Sequence, residues 1–471
     1  MKKTKIFCTL GPVSNTPEML DKMMEAGMDV ARLNFSHSDQ ENHLKLIQMV
    51  REVAHKRGQE IAVLLDTKGP EIRLGVMENG AVEFQTGDIT KIVLEEVIGN
   101  HERFQIIVPE LFTDVKVGDY LLIDDGKMRL TVLEKGNNEL TCRVENFGVI
   151  KSRKGVNVPN VHLSMPFISK KDDSDIRFGC RNDVDYIAAS FVRNRQDIEE
   201  IRKILQEEGK ETIQIIAKIE NQEGYDNLDE IIDAADGIMV ARGDLGVEIS
   251  VALVPIYQKH MIRRCNERGK VVVTATHMLE SMQQNPKPTR AEANDVANAV
   301  LDGSDAIMLS GESAAGNYPI QAIQTMDLIA RTIEEEVYPY AEKLSKAISS
   351  SESTRMDAVA MSVAEAALNL NIAAIIAFTD SGVTAKRVSK FRPKAPILAV
   401  TAYIDTMRKL QAVWGVTPMY DETKISLDTM DLMAQRAAKK AGIPRGELII
   451  LVCGYPTGAG KTNTFRIIEV E

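Results

Sequence analysis

Eight short β-rich runs recur along the chain. They begin near Lys5 (KIFCTL), Val30 (VARLNFS), Ile61 (IAVLLDT), Asp185 (DYIAASF), Ile213 (IQIIAKIE), Gly237 (GIMVARGD), Lys270 (KVVVTAT) and Ala306 (AIMLSGE). Most are separated by amphipathic helical stretches such as PEMLDKMMEAG and DQENHLKLIQMVREVAHKRG, so the pattern is strand then helix, repeated. Eight such units predict an α/β fold, a closed (β/α)8 TIM barrel.

Successive run starts differ by 25, 31, 124, 28, 24, 33 and 36 residues. Six gaps have the length of an ordinary βαβ repeat; the third predicts a domain inserted after strand three, at about 70–166. That segment reads as all-β, with turn pairs Asp125-Gly126 and Gly136-Asn137 marking hairpins. Leaving from a strand's C-terminal end, it is placed to act as a lid over the barrel mouth. A helix at about 319–338 and a Ser-rich linker at 345–354 precede a further α/β pattern: helix, strand, helix, the strand PILAVTA, a helical run to 439, and the strand pair ELIILVCG and TNTFRIIEV. The expected organisation is a barrel from 1–69 and 167–344, the inserted lid domain 70–166, and a C-terminal α/β regulatory domain 345–471.

Composition excludes several functions. The chain has 57 basic against 68 acidic side chains, a formal net charge of −11, which argues against a general nucleic-acid scaffold and confines any cationic site to a local pocket. No stretch approaches the ~20 consecutive apolar residues of a membrane span. The start, MKKTKIFCTLGP, reads as a first strand and lacks the parts of a signal peptide. Five scattered cysteines without CxxC spacing suit reducing cytosol, and no histidine pair has zinc-ligand spacing.

Barrel chemistry sits at strand C-termini, and side chains alternate with period two. Arg32, Asn34 and Ser36 therefore share one face of strand two, and Lys218 and Glu220 one face of strand five. Glu220 and Asp244 end neighbouring strands five and six, a carboxylate pair suited to Mg2+ or Mn2+; structural ion pairing with Lys218 and Arg242 is the alternative. Arg32, Arg73 and Lys218 add positive charge at the same mouth, the composition that phosphoryl transfer requires. Thr274 and Thr276 share a face of strand seven, where a hydroxyl can hold water or relay a proton.

The chain resembles the pyruvate kinase family along essentially its whole length. The resemblance is carried by RLNFSHS, LLDTKGPEIR, KGVNVP, ASFVRN, KIEN, GIMVARGDLGVE, TATHMLESM, KPTRAEANDVANAV and MLSGESAAGNYP, in order along the chain. It implies glycolytic transfer of the phosphoryl group from phosphoenolpyruvate to ADP, giving pyruvate and ATP, in a cytoplasmic homotetramer. By that resemblance Lys218 stabilises the phosphoryl in transit, Arg32 binds its oxygens, and Glu220 and Asp244 hold the divalent metal. The substrate carboxylate lies against Ala241, Arg242, Gly243 and Asp244 near Thr276, which takes part in protonating the enolate. Asn34, His37, Arg73 and Lys154 face the nucleotide. Four positions depart from the family pattern: Ser38 and Asn160 where glycine is usual, Asn194 where lysine follows SFVR, and His277 where glutamine follows TAT. His277 reads as a hydrogen-bonding structural histidine.

Three further expectations concern ligands. Asn34, Ser36, Asp66 and the backbone of Thr67 offer oxygens suited to K+, and Glu71 resembles the K+-requiring type, since family members with lysine there tend to dispense with the ion. Thr379, Ser381, Gly382 and Thr384 in TDSGVTA suit the phosphate of a sugar phosphate or nucleotide monophosphate effector. Lys386, Arg387 or Lys461 would offset the charge of Asp380. GYPTGAGKTN at 454–463 lacks the first P-loop glycine and the strand–loop–helix context, and MIRRCNERGK reads as a solvated helix face. The competing functions are a metal-dependent oxo-acid C–C lyase or aldolase, for which the inserted domain has no purpose, and a catalytically dead binding protein, which would have lost some of Arg32, Lys218, Glu220, Asp244 and Thr276.

Overall fold

The computed structural model describes residues 2–350, 354–423, 425–426, 429–454 and 462–471. Strands β1 (Lys5–Thr9), β2 (Val30–Asn34), β3 (Ala62–Asp66), β4 (Tyr186–Ala189), β5 (Gln214–Ile219), β6 (Gly237–Ala241), β7 (Val271–Ala275) and β8 (Ala306–Leu309) form a closed parallel barrel in chain order. The expected (β/α)8 fold is observed. The strands are near-continuous apolar runs because both faces are covered, the inner by barrel side chains such as Phe7, Leu64 and Met239 and the outer by helices.

Between β3 and β4 the chain forms a seven-stranded sheet and a two-stranded sheet around its own apolar core. The Asp-Gly and Gly-Asn pairs lie in turns between Tyr120–Ile123, Met128–Lys135 and Glu139–Val144. This segment is not all strand. A helix spans Pro109–Asp114, started by proline at a position where its missing N–H is harmless. One pairing, Ile89–Val93 with Arg103–Gln105, is parallel.

The C-terminal sheet contains β9 (Ile372–Phe378), β10 (Ile397–Thr401), β11 (Val416–Tyr420), β12 (Leu448–Gly454) and β13 (Thr462–Glu469) in the order β11-β10-β9-β12-β13. Only β13 is antiparallel to its neighbour. The expected helical run to 439 is corrected: β11 interrupts it. Its Pro418 argues against a strand by propensity, but β11 is an edge strand, where a residue without an N–H is tolerated. Half of the expected Ser-rich linker is helix, since Tyr340–Ser349 continues through it and the Ser349 and Ser350 hydroxyls donate to carbonyls one turn back. Residues 351–353 of that linker and most of 454–463 lie outside the described residues.

The C-terminal domain packs against the N-terminal ends of the barrel strands, opposite the expected site. Lys5 Nζ donates to Val416 O (2.6 Å), Arg408 pairs with Glu60 (2.7 Å), Lys386 donates to Gln214 (2.8 Å), and Arg392 pairs with Asp305 (3.1 Å). Among the described residues no helix is long and apolar enough to cross a membrane.

The departures from the family pattern have backbone explanations. Ser38 and Asn160 both have positive φ (66° and 64°), the left-handed region that glycine enters without penalty. Asn194 caps the helix Arg195–Glu207 by accepting from Asp197 N (3.2 Å), which lysine cannot do. Ser38→Gly is expected to stabilise the protein by about 1 kcal/mol in denaturant titration, by removing the left-handed Cβ penalty; an unchanged midpoint would refute that explanation.

Candidate active site

Buried charge gathers where β2, β3 and β5 end. Asp66, the last residue of β3, is only 1% exposed. Its Oδ2 accepts from Arg32 Nε (2.6 Å) and its Oδ1 lies 3.2 Å from Lys218 Nζ. Arg32 comes from β2, where alternation turns it to the same side, and its Nη1 donates to Thr9 Oγ1 (2.8 Å). Lys218, near the end of β5, also pairs with Glu220 Oε1 (3.0 Å) and donates to Ser190 Oγ (2.7 Å). Glu220, one residue past β5, accepts from Phe191 N (2.6 Å).

Burial opposes ionisation at each of these groups, and the neighbours decide the outcome. For Lys218, burial favours the neutral amine, but Asp66 and Glu220 overcome it and hold the ammonium well above its usual range. For Asp66, burial pushes the carboxyl up while Arg32 and Lys218 pull it below the ordinary value. Glu220 is pushed up to about 7, first by burial and then by the Asp244 and Asp66 carboxylates, with Lys218 opposing.

Asp244 does not end strand six. It lies in the short helix Arg242–Glu248 that follows β6 directly, because RGDLGVE turns into a helix at the end of the strand. The carboxylate pair is therefore made by a strand end and the adjoining helix. It fits a hard divalent cation: the donors are all oxygen, Glu220 is nearly solvent-free, and the burial and carboxylate repulsion that raise its pKa are what a bound cation would offset. Among the described residues no cluster of three or more His, Cys, Asp or Glu side chains forms a metal site on its own, so remaining ligands would come from water or substrate.

At β7 the alternation breaks. Thr274 is fully buried and bonded to Ser304 Oγ (2.8 Å) on the outer, helix-facing side of β7, since its neighbours Val273 and Ala275 belong to the inner cluster. Thr276 lies past the strand with φ of 63°, followed by His277 at 53°. A β-branched residue there is strained. Arg242 holds the turn: its guanidinium donates to the Ala275 and Thr276 carbonyls and pairs with Asp295 (2.7 Å). The Arg242 side chain is thus scaffold for this turn. The Thr276 hydroxyl accepts from Gly243 N (2.8 Å) and donates to Ala275 O (2.7 Å), bringing Ala241–Asp244 beside Thr276. His277 is exposed with no protein hydrogen bond to its ring among the described residues, unlike the hydrogen-bonded histidine expected.

Asn34 stands opposite Asp66 in the β2–β3 register. Its Oδ1 accepts from Ser36 N (3.0 Å), and Thr67 O accepts from Ser190 Oγ (2.7 Å). His37 follows, its carbonyl bonded to His43 Nε2 (2.9 Å). Arg73 and Lys154 lie in the inserted domain and are engaged there: Arg73 grips Glu71 with two nitrogens (2.9 and 2.8 Å), and Lys154 pairs with Asp124 (2.8 Å). Beside this group a cleft of about 400 Å3 separates the inserted domain from the barrel, lined among others by Glu71, Asn157, Phe191, Asp244 and Glu248. Sequence reasoning misses Ser190, which touches Asp66, Thr67 and Lys218. The strand-end rule applied to DYIAASF is the signal that finds it.

The C-terminal loop is less open than expected. Thr379 Oγ1 accepts from Gly382 N (2.9 Å), and the Thr384 and Thr462 hydroxyls bond each other (2.9 Å). Gly382 precedes the helix Val383–Lys390, and Ser381 borders a cleft shared with Tyr403 and Lys409. Lys386 and Arg387 do not offset Asp380: Lys386 turns to Gln214 of the barrel, and Arg387 pairs with Asp357 (3.1 Å) in the C-terminal domain's own helix Arg355–Asn369. Lys461 lies outside the described residues.

The Glu220 shift has a testable consequence. Its folded value of about 7 exceeds the ordinary 4.5, so the folded protein retains a proton that the unfolded chain has lost. Without divalent metal, stability should fall as pH rises from about 4.5 to 7 and then level off. Denaturant titrations across that range should show a shallower slope for Glu220→Gln; an unchanged slope would contradict the burial argument.

Comparison with known proteins bears on the whole chain. The family model described as pyruvate kinase, barrel domain, matches residues 1–323, and that described as pyruvate kinase, alpha/beta domain, matches residues 357–468. The chain is similar to the pyruvate kinase of Geobacillus stearothermophilus, 49% identical over 99% of this chain and 80% of that protein. It is 50% identical to that of Bacillus licheniformis over 100% of this chain and 81% of the relative. With that of Staphylococcus aureus strain MRSA252 the identity is 48%, over 99% and 80%.

Proposed function

The chain belongs to the pyruvate kinase family, phosphotransferases that act on phosphoenolpyruvate and ADP, and on that premise we propose how its own residues divide the work. The observation that carries the proposal is the buried Arg32–Asp66–Lys218–Glu220 group at the barrel mouth.

Lys218 is an electrostatic stabiliser. Its two carboxylate neighbours keep it charged, so it is a poor proton donor and a good partner for the negative oxygens of a phosphoryl group in transit. Arg32 has Nε on Asp66 and Nη1 on Thr9; its Nη2, with no protein acceptor among the described residues, is left for a phosphate oxygen. Asp66 keeps both cations oriented and neutralises part of their repulsion. The backbone of Ala241–Asp244, beside the Thr276 hydroxyl, receives the substrate carboxylate. Thr276 takes part in protonating the enolate carbon as a relay: its hydroxyl turns from Ala275 O, passes its proton on and takes another from a water molecule behind it.

Glu220 and Asp244 would hold Mg2+ or Mn2+. When bound, the divalent ion supplies a Lewis acid for the oxygen on which enolate charge develops. Asn34, Ser36, Asp66 and the Thr67 carbonyl would hold K+, which adds positive charge near the nucleotide and substrate. Asn34, His37, Arg73 and Lys154 would face ADP, Arg73 and Lys154 exchanging their present carboxylate partners for phosphate as the inserted domain approaches. For the C-terminal loop we propose a phosphorylated effector held at Thr379, Ser381, Gly382 and Thr384, its charge met by groups other than Lys386 and Arg387. A homotetramer and a cytoplasmic location complete the reading; all five cysteines are free and buried, as a reducing compartment allows. Whole-chain similarity to pyruvate kinases disfavours the aldolase alternative.

Pyruvate and ATP production from phosphoenolpyruvate and ADP in a coupled assay tests the activity. Lys218→Met is expected to lower it by about 100-fold or more while leaving metal-dependent exchange of pyruvate's methyl protons; near-normal ATP production would remove Lys218 from phosphoryl transfer. Activity should also fall sharply when K+ is replaced by a bulky organic cation at equal ionic strength, and Glu71→Lys should lessen that fall. Equal activity in both salts would refute the monovalent site.

A further inference from the structure

The inserted domain joins the barrel by two crossings, outward at 67–70 and back at 158–169. The return crossing ends at Ser169, whose hydroxyl caps the helix Lys170–Arg181 by accepting from Asp172 N (3.0 Å). Asp172 is 1% exposed. Its Oδ1 accepts the backbone N–H groups of Lys68 (3.1 Å) and Gly69 (3.3 Å), and its Oδ2 accepts from Ser169 Oγ (2.6 Å). No cation lies within ion-pair distance among the described residues, so this buried carboxylate is satisfied by donors on the two crossings themselves. Such a group is costly to bury unless every acceptor is used, which makes the arrangement geometrically demanding.

The outward crossing in turn touches the site. Gly69 has φ of 73°, and a Cβ there would come within 2.8 Å of the Ser190 Cβ, so its backbone rests on Ser190. Ser190 Oγ donates to Thr67 O (2.7 Å) and accepts from Lys218 Nζ (2.7 Å). From the same helical turn Lys171 Nζ donates to Phe35 O (2.9 Å), in the loop after β2. We propose that Asp172 is a positioning residue that clasps the two crossings of the inserted domain to each other and, through Gly69 and Ser190, sets the place of the Lys218 ammonium. The lid then swings on a foundation that is rigid on its barrel side, and the lid's attachment and Lys218 are held by one structural unit.

The inference rests on the role proposed above for Lys218, and backbone hydrogen exchange, which does not depend on that role, separates the two. Asp172→Ala should accelerate exchange at Lys68 and Gly69 by about tenfold or more and lower kcat by a similar factor, because a misplaced group costs rate rather than affinity. KM for phosphoenolpyruvate should stay within about threefold. Asp172→Asn keeps an acceptor oxygen and should bring kcat and exchange back to within about threefold of the parent protein. If Asp172→Ala does not fold, Ser169→Ala, which removes one donor to the clasp, should show the same two changes more weakly. Unchanged exchange in the folded variants overturns the clasp; faster exchange with unchanged kcat overturns its link to Lys218; an asparagine variant as impaired as alanine overturns the acceptor role. Should Lys218→Met prove active, the catalytic reading fails while the exchange result still decides the clasp.

Discussion

A single buried carboxylate, Asp66, makes it possible to keep two cations side by side at the mouth of the barrel. Arg32 and Lys218 repel each other and would each favour solvent, yet both are largely buried. Removing either partner would leave an uncompensated internal charge, a loss of about 3–5 kcal/mol in comparable cases. The same balance determines chemistry. With Asp66 and Glu220 beside it, Lys218 stays an ammonium, which suits the electrostatic role proposed for it, while Glu220, buried and crowded by Asp244 and Asp66, becomes a carboxylate that a divalent cation would stabilise.

The barrel separates two tasks along its axis. Charged and polar groups collect at the C-terminal ends of the strands, and the inserted domain leaves from that end after β3. At the opposite end the C-terminal domain is bound through apolar packing and a ring of polar contacts, including Glu60–Arg408, Gln214–Lys386 and Asp305–Arg392. These polar contacts of the C-terminal domain are therefore with strand beginnings, away from the strand ends that carry the charged groups.

Backbone strain follows this division. Phe191, Thr276 and His277, all just beyond barrel strands, have positive φ, and two of them bond groups of the candidate site: Phe191 N donates to Glu220, and the Thr276 hydroxyl accepts from Gly243 N. Such conformations persist only where surrounding contacts over-determine them. Arg242, with its guanidinium folded behind the Thr276 turn, is one such restraint.

How much was legible in the sequence depends on the range of the interaction concerned. The eight strands, the place of the insertion, and the side of the strand on which Arg32, Asn34, Lys218 and Glu220 lie follow from periodicity and spacing, which are properties of neighbouring residues. Family motifs then attached chemistry to those positions. The strand at Val416–Tyr420 escaped because local propensity penalises Pro418, whereas only the assembled sheet makes that segment an edge. Partners were beyond reach for the same reason. That Ser190 receives Lys218, that Arg242 supports the Thr276 turn, and that Asp172 binds the Lys68 and Gly69 amides all depend on the pairing of neighbouring barrel strands, which brings residues 28 to 104 positions apart into hydrogen-bond range. Sequence determined which side chains stand at the strand ends, because alternation is local; tertiary structure decided which of them meet, because meeting requires strands distant in sequence to assemble side by side.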